Sequence, residues 1–207
     1  MGMPGSGKSF FQKKIINQFK NKNIQKNNYK ILNKINKLFY FFLFFLSNQY
    51  FFIKTLFIII FKLKKVEKSR NFYYFHNEIA LRSFFQNCNY KTNIFNDEGF
   101  LYRSAAYFDR KYKTRELENY LDKLPKIDLI IYLYSKKEIN IKRTLKRTNG
   151  YKYKKYDFKN YNKKEELLKK IISIYKKKNV VKFISIRNEK NKTKKNIRLL
   201  SKKIKII

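Results

Sequence analysis

The strongest constraint on this chain is concentrated in residues 2–9, Gly2-Met3-Pro4-Gly5-Ser6-Gly7-Lys8-Ser9. The pattern G-x-x-x-x-G-K-S is that of a phosphate-binding loop. Glycines admit backbone angles that other residues avoid, so the segment can curl with its N–H groups turned inward on a phosphate. Lys8 can then reach the β and γ phosphates, the Ser9 hydroxyl can take Mg²⁺, and the positive end of a following helix adds to the field. Phe10, Phe11, Ile15, Ile16 and Phe19, interleaved with lysines, predict that helix over Ser9 to about Lys22. A Gly-rich terminus matching by chance is the competing explanation, and the helix that the motif demands argues against it. Met1, Gly2 and Ser6 also fit a myristoylation pattern, which the loop explains better. A buried strand ordinarily leads into such a loop and none stands before Gly2 here, so a strand missing upstream is expected. A sheet without it would leave two neighbours unpaired.

The length of 207 residues suits one domain. Lys and Arg number 51 against 14 acids, a net charge of +37, which raises nucleic acid and anionic membrane as partners. The excess is mostly Lys, spread over the whole length among abundant Asn, Ile, Phe and Tyr, so it reads as compositional drift rather than a basic patch. Salt-sensitive adsorption to polyanions is expected, without a specific nucleic-acid partner. The single cysteine, Cys88, and single histidine, His76, exclude a disulfide framework and a Cys/His zinc site. Cys88 reads as a small apolar packing residue and His76 as a helical residue with no catalytic duty. With no secretory signal at the Gly-rich start, a reducing, cytoplasmic setting follows.

Residues 23–28 read as a polar turn, and Tyr29 to Leu32 as a short strand or a helix start. Leu38 to Phe61 is long and apolar enough to raise a membrane span, but Ser47-Asn48-Gln49 interrupts its centre and Lys54 adds a charge. A buried helical hairpin turning near Asn48 accounts for both, and ranks above membrane contact. Phe72 to Asn87 reads as a helix with Phe75, Ile79, Leu81, Phe84 and Phe85 inward. Lys91 to Asn96 reads as a short strand ending at Asp97-Glu98-Gly99, Phe100 to Tyr107 as loop into helix, and Arg115 to Leu124 as a helix stopped by Pro125. Ile127 to Tyr134 is the clearest strand, apolar almost throughout, as in a strand covered on both faces. Ser135 with Glu138 makes a capping box for a helix from Lys136 to about Arg147. Thr148 to Tyr161 reads as a loop. Asn162, with Glu165, caps a helix to about Lys177, Val180 to Ile186 is a second strand, and Thr193 to Lys203 a basic helix.

The order of these elements, with Gly2 to Ser9, Asp97-Glu98-Gly99, and the strand followed by Arg143 and Arg147, resembles the P-loop small-molecule kinases, the superfamily of adenylate, thymidylate and shikimate kinases. The resemblance implies an α/β fold of three layers, a mostly parallel sheet, and a helical insertion over about 33–88. It implies an enzyme that binds ATP and Mg²⁺ and passes a phosphoryl group to a small-molecule acceptor. Gly2, Gly5, Ser6, Gly7, Lys8 and Ser9 would hold the nucleotide, and Ser9 and Asp97 the metal. Asp97 or its neighbour Glu98 would take the acceptor proton, with Arg103 as a weaker contact to the acceptor. Arg143 and Arg147, four apart on one helix face, would meet the transferring charge under a lid at about 148–161. The chain departs from the family in its absent first strand, in lacking a lid motif of spaced arginines, and in an unusually aromatic insertion. A P-loop ATPase, a membrane-associated binding protein anchored by 38–61, and a non-functional fragment are the alternatives.

Overall fold

The computed structural model describes residues 1–18, 24–26, 32–87, 93–95, 99–108, 112–147, 160–188, 196–198 and 200. In chain order the elements are α1 (Lys8–Gln18), β1 (Ile24–Lys26), α2 (Lys34–Ser47), α3 (Gln49–Phe57) continued by a π-helical turn (Ile58–Lys62), α4 (Lys65–Asn87), β2 (Asn93–Phe95), α5 (Phe100–Tyr107), α6 (Thr114–Asp122), β3 (Leu129–Tyr134), α7 (Lys137–Arg147), α8 (Tyr161–Lys178) and β4 (Lys182–Arg187). They fall into two compact units, the first made of Met1–Lys20 with Pro125–Ile207, the second of Asn21–Leu124.

The sheet differs from the sequence expectation. The described strands form two separate two-stranded parallel ladders, β1 with β2 and β3 with β4, and helix dominates the chain, so the three-layer P-loop architecture is not what this chain adopts. The reason lies partly in what is missing between Gly7 and Gly99, where no Gly or Pro stands to break a helix. That region spends its length on helices, and the β1–β2 ladder is only three residues long, Ile24 pairing Asn93 and Lys26 pairing Phe95. β1 itself falls in the stretch read as a polar turn, because pairing with β2 outweighs the weak strand preference of Ile24-Gln25-Lys26.

The first unit is built on β3, whose residues Ile130 to Leu133 are buried as a continuous apolar run predicts. β4 runs parallel to it, Ile131 facing Ile184 and Leu133 facing Ile186. On the opposite edge of β3, Met1 makes one rung: its N–H donates to the Ile131 carbonyl and its own carbonyl accepts from Leu133 N–H at 2.9 Å. Phe11 and Ile15 of α1, and Leu168, Ile171 and Tyr175 of α8, are fully or almost fully buried here. The Tyr175 hydroxyl accepts from Ile127 N–H at 3.1 Å, fixing the entry to β3. Asn160, not Asn162, stands at the head of α8. Of the expected basic terminal helix, only 196–198 and 200 are described, and they are helical.

The second unit is an aromatic helical core. Phe51 lies 5.1 Å from Phe100 and 5.7 Å from Tyr120, centroid to centroid, and Phe52 lies 5.7 Å from Phe75. Such edge and tilted contacts add about 0.5–1.5 kcal/mol each beyond burial. Tyr120, though buried, satisfies its hydroxyl on Thr55 Oγ1 at 3.1 Å. Glu78 accepts from Phe100 N–H at 3.0 Å and so closes the open start of α5. Lys62 and Lys54 both approach Glu116, tying α3 and its π-turn to α6. The chain turns through 109° between α2 and α3 at Asn48, where a turn was expected. The pair is not the buried hairpin predicted, however. Its inner face carries Phe44, Phe51 and Phe52, while Leu38, Phe42, Ile53 and Phe61 are exposed. Both helices are apolar all round, and only one face of each meets the core.

His76, the only histidine, sits half-buried on α4 with its ring 4.7 Å from Phe41 and stacked on Phe72 at 6.4 Å. Burial, and then the charge of Lys37, hold its pKa below the usual value of 6.5. A lowered folded-state pKa means that the unfolded chain binds the proton first, so stability is intact above pH of about 6.5 and falls as acid is added through that value. Urea unfolding at pH 7 and at pH 5 is expected to show a lower midpoint at pH 5. His76→Phe, which keeps the ring contacts, is expected to remove part of that drop.

Candidate functional site

The residues of the glycine-rich loop stand in the first unit with an unusual backbone. Gly2, Gly5 and Gly7 have φ of 147°, 79° and 91°, a region that side chains other than glycine's avoid. Met3-Pro4-Gly5-Ser6 makes a turn closed by Ser6 N–H on the Met3 carbonyl at 3.1 Å, with Pro4 and positive-φ Gly5 at its centre as a type II turn requires. Each glycine is also a point of contact. A Cβ on Gly2 would fall 2.2 Å from the Leu133 carbonyl oxygen, one on Gly5 2.1 Å from the Asn140 carbonyl oxygen, and one on Gly7 2.4 Å from Asn188 Nδ2. The loop is therefore pressed on the carboxyl end of β3, on α7, and on the residue that follows β4.

Asn188 is the tie between these parts. Its backbone N–H donates to the Tyr134 carbonyl at 2.8 Å, continuing the β3–β4 ladder past its end. Its side-chain amide donates to the Ser6 carbonyl at 2.7 Å, holding the loop. Its own carbonyl accepts from Arg143 Nη1 at 3.4 Å. Under Gly5 lies a buried polar cluster. Ser135 Oγ donates to Asn140 Oδ1, Asn140 Nδ2 donates to the Tyr161 hydroxyl, and Thr144 Oγ1 donates to the Asn140 carbonyl at 2.8 Å. Ser135 thus bonds Asn140, where a capping box with Glu138 was expected. Burial is the main cause that lifts the Tyr161 pKa above its ordinary value, so its hydroxyl stays neutral and can hold this bond.

Lys8 opens α1, and its ammonium donates to the carbonyls of Gly2 at 2.9 Å and Met3 at 3.4 Å. It lies over the loop it belongs to. Ser9, next along, is exposed on the first turn. Ser6 Oγ is buried and has no hydrogen-bond partner among the described residues. A cradle shaped by glycines, a lysine across its mouth and the start of a helix suit a phosphate. Among the described residues no cluster of three or more His, Cys, Asp or Glu that could hold a metal ion occurs.

The remaining expected residues divide three ways. Arg143 is brought to the loop through Asn188, half-buried on α7. Arg147 ends α7 one turn on. Asp97, Glu98 and residues 148–159 of the lid expected at about 148–161 lie outside the described residues, and Tyr161 at its end opens α8. Arg103 belongs to the second unit, where its guanidinium lies 3.9 Å over the Tyr74 ring and 4.0 Å from Glu78. Asn140, Thr144, Tyr161 and Asn188 were missed by sequence reasoning. The signal for the first two was Asn and Thr four apart on the α7 face that carries Arg143, set against the apolar Leu145, which is exposed.

Two substitutions probe the seat of the loop. Gly5→Ala should destabilise the chain by about 2–4 kcal/mol, from a strained φ and a collision with backbone, read as a lower urea midpoint. Asn188→Ala strips the buried Ser6 carbonyl of its donor and should cost about 1–3 kcal/mol in the same assay. No protein-family model, curated protein or solved structure matches this chain, so the geometry of the loop is what functional reasoning has to stand on.

Proposed function

We propose that this chain transfers the terminal phosphoryl group of ATP to a small-molecule acceptor, with Gly2 to Ser9 as the cradle for the triphosphate. The observation that supports this most directly is the construction of the loop. Its three positive-φ glycines sit where no Cβ fits, and its last turn runs straight into a helix whose first residue is Lys8.

In such a reaction an acceptor oxygen bonds to the γ phosphorus while the bond from that phosphorus to the β–γ bridging oxygen breaks. Charge gathers on the transferred oxygens and on the leaving phosphate, so catalysis is positioning plus electrostatics and needs neither His nor Cys. The loop N–H groups orient the phosphates. Lys8 exchanges the carbonyls of Gly2 and Met3 for phosphate oxygens, trading dipoles for a full charge. Ser9 offers its hydroxyl to Mg²⁺, which when bound neutralises phosphate charge. Arg143, which donates to the Asn188 carbonyl at 3.4 Å beside the loop, would meet the transferred group, with Arg147 of the same helix as the second. Asp97 and Glu98 keep the roles that the family resemblance gives them. Arg103 is left out, because its guanidinium is engaged by Tyr74 and Glu78.

Calorimetric titration with ATP–Mg²⁺, at salt high enough to suppress polyanion adsorption, tests the cradle. Saturable binding is expected, weakened by Lys8→Ala about 10–100-fold, the worth of one charge-assisted hydrogen bond. Unchanged binding by Lys8→Ala would remove the loop from the reading. Arg143→Ala should bind ATP normally yet lower turnover by about 10²–10³-fold with acceptor present. ATP consumption that no acceptor accelerates would make water the acceptor and the chain an ATPase.

A further inference from the structure

We propose that the outer face of the bent α2–α3 pair docks on an anionic membrane surface, lying in the headgroup boundary rather than spanning the bilayer. Four observations carry this independently of the phosphate loop.

The first is an apolar stripe turned outward on each helix. On α2, Leu38, Phe39, Phe42 and Leu46 recur at helical spacing and are each at least half exposed, Leu38 at 67%. On α3 and its π-turn, Ile53, Phe57 and Phe61 recur four apart and are also exposed, Phe61 at 69%. Scattered exposed apolar residues need no explanation, but stripes along both arms of a bent pair mark a contact surface.

The second is charge. Residues 1–66 contain no Asp or Glu, and all 14 acids of the chain follow them. The pair carries only lysines as charged groups: Lys34 and Lys37 open α2, and Lys54 and Lys62 reach inward to Glu116. Lys64 and Lys65 stand exposed just beyond the π-turn. Lysines at the rim of an aromatic stripe match an interface where rings enter and ammonium groups stay among headgroups. The same charge disfavours a second copy of the chain as occupant, since two surfaces of this sign repel. A nucleic acid would answer the lysines and leave the stripes unburied.

The third is length. Each arm has 14 residues, α2 from 34 to 47 and α3 with its π-turn from 49 to 62, or about 21 Å at 1.5 Å per residue. That is short of the roughly 30 Å hydrocarbon core. No single helix among the described residues is long and apolar enough to cross a membrane.

The fourth is the bend. Ser47 Oγ donates to the Leu43 carbonyl at 2.9 Å, and Asn48 N–H donates to the Phe44 carbonyl at 2.9 Å. The end of α2 at the break thus has two of its carbonyls bonded locally, which lowers the cost of bringing it to a lipid surface.

The chain has no Trp, so Phe42→Trp places one reporter on the stripe. The full chain is mixed with vesicles of phosphatidylcholine alone, or with about one third phosphatidylserine. Flotation and Trp emission are read at low and high salt. Expected are flotation with the anionic vesicles, a blue shift of the Trp, and binding at high salt that Phe39→Ser/Phe42→Ser/Phe61→Ser lowers at least about tenfold. Far-ultraviolet dichroism should show the triple variant as helical as the parent, because all three positions point away from the core. Binding abolished by salt and untouched by the triple variant would overturn the proposal in favour of plain polyanion adsorption. A chain that ignores vesicles but oligomerises through these residues would overturn it in favour of self-association.

Discussion

The candidate site depends on how closely the backbone of Gly5 comes to the carbonyl of Asn140. A Cβ there would stand 2.1 Å from that oxygen, so the approach is open to glycine alone. It places the turn of the loop directly on α7, and α7 follows β3 after two residues. Asn140 can accept this neighbour only because its own polar atoms are employed, its carbonyl by Thr144 and its side chain by Ser135 and Tyr161. Buried amides in such a cluster are costly unless satisfied, and satisfied they rigidify what they touch. Loop shape, helix position and strand end are thus one arrangement.

Some of this was legible in the residues. β3 and β4 announce themselves as β-branched apolar runs, and α1 by the motif it must follow. Gly99 and Pro125 punctuate the helical stretch that ends the second unit. The polar seat of the loop was not legible, because α7 was read from its expected capping box, which says nothing of the face that buries Asn140 and Thr144. Hydrogen-bonded side chains inside a helix face leave no periodic trace. The layered sheet was read from element order and family likeness. Order does not say which strands pair, and a three-residue ladder is decided by tertiary contact rather than local preference. Likewise α4 begins at Lys65, seven residues before the expected start at Phe72, since Glu, Lys and Arg are good helix formers with nothing to stop them.

The second unit solves a different problem. With 21 Phe and 17 Tyr in the chain, there are more rings than one small core can bury. Phe51, Phe75, Phe100 and Tyr120 interlock inside, and the surplus rings of α2 and α3 face out. Compositional pressure alone would scatter that surplus. Its alignment along two bent helices, in the acid-free third of the sequence, is the feature that the proposed membrane contact would use.

The bonding of Asn188 has a mechanical meaning. Its amide grips Ser6 and its N–H grips Tyr134, while only its carbonyl is lent to Arg143. The atoms of Asn188 that hold the loop and the strand end are not the atom that meets Arg143, so the seat of the loop and the placement of Arg143 rest on different groups of one residue.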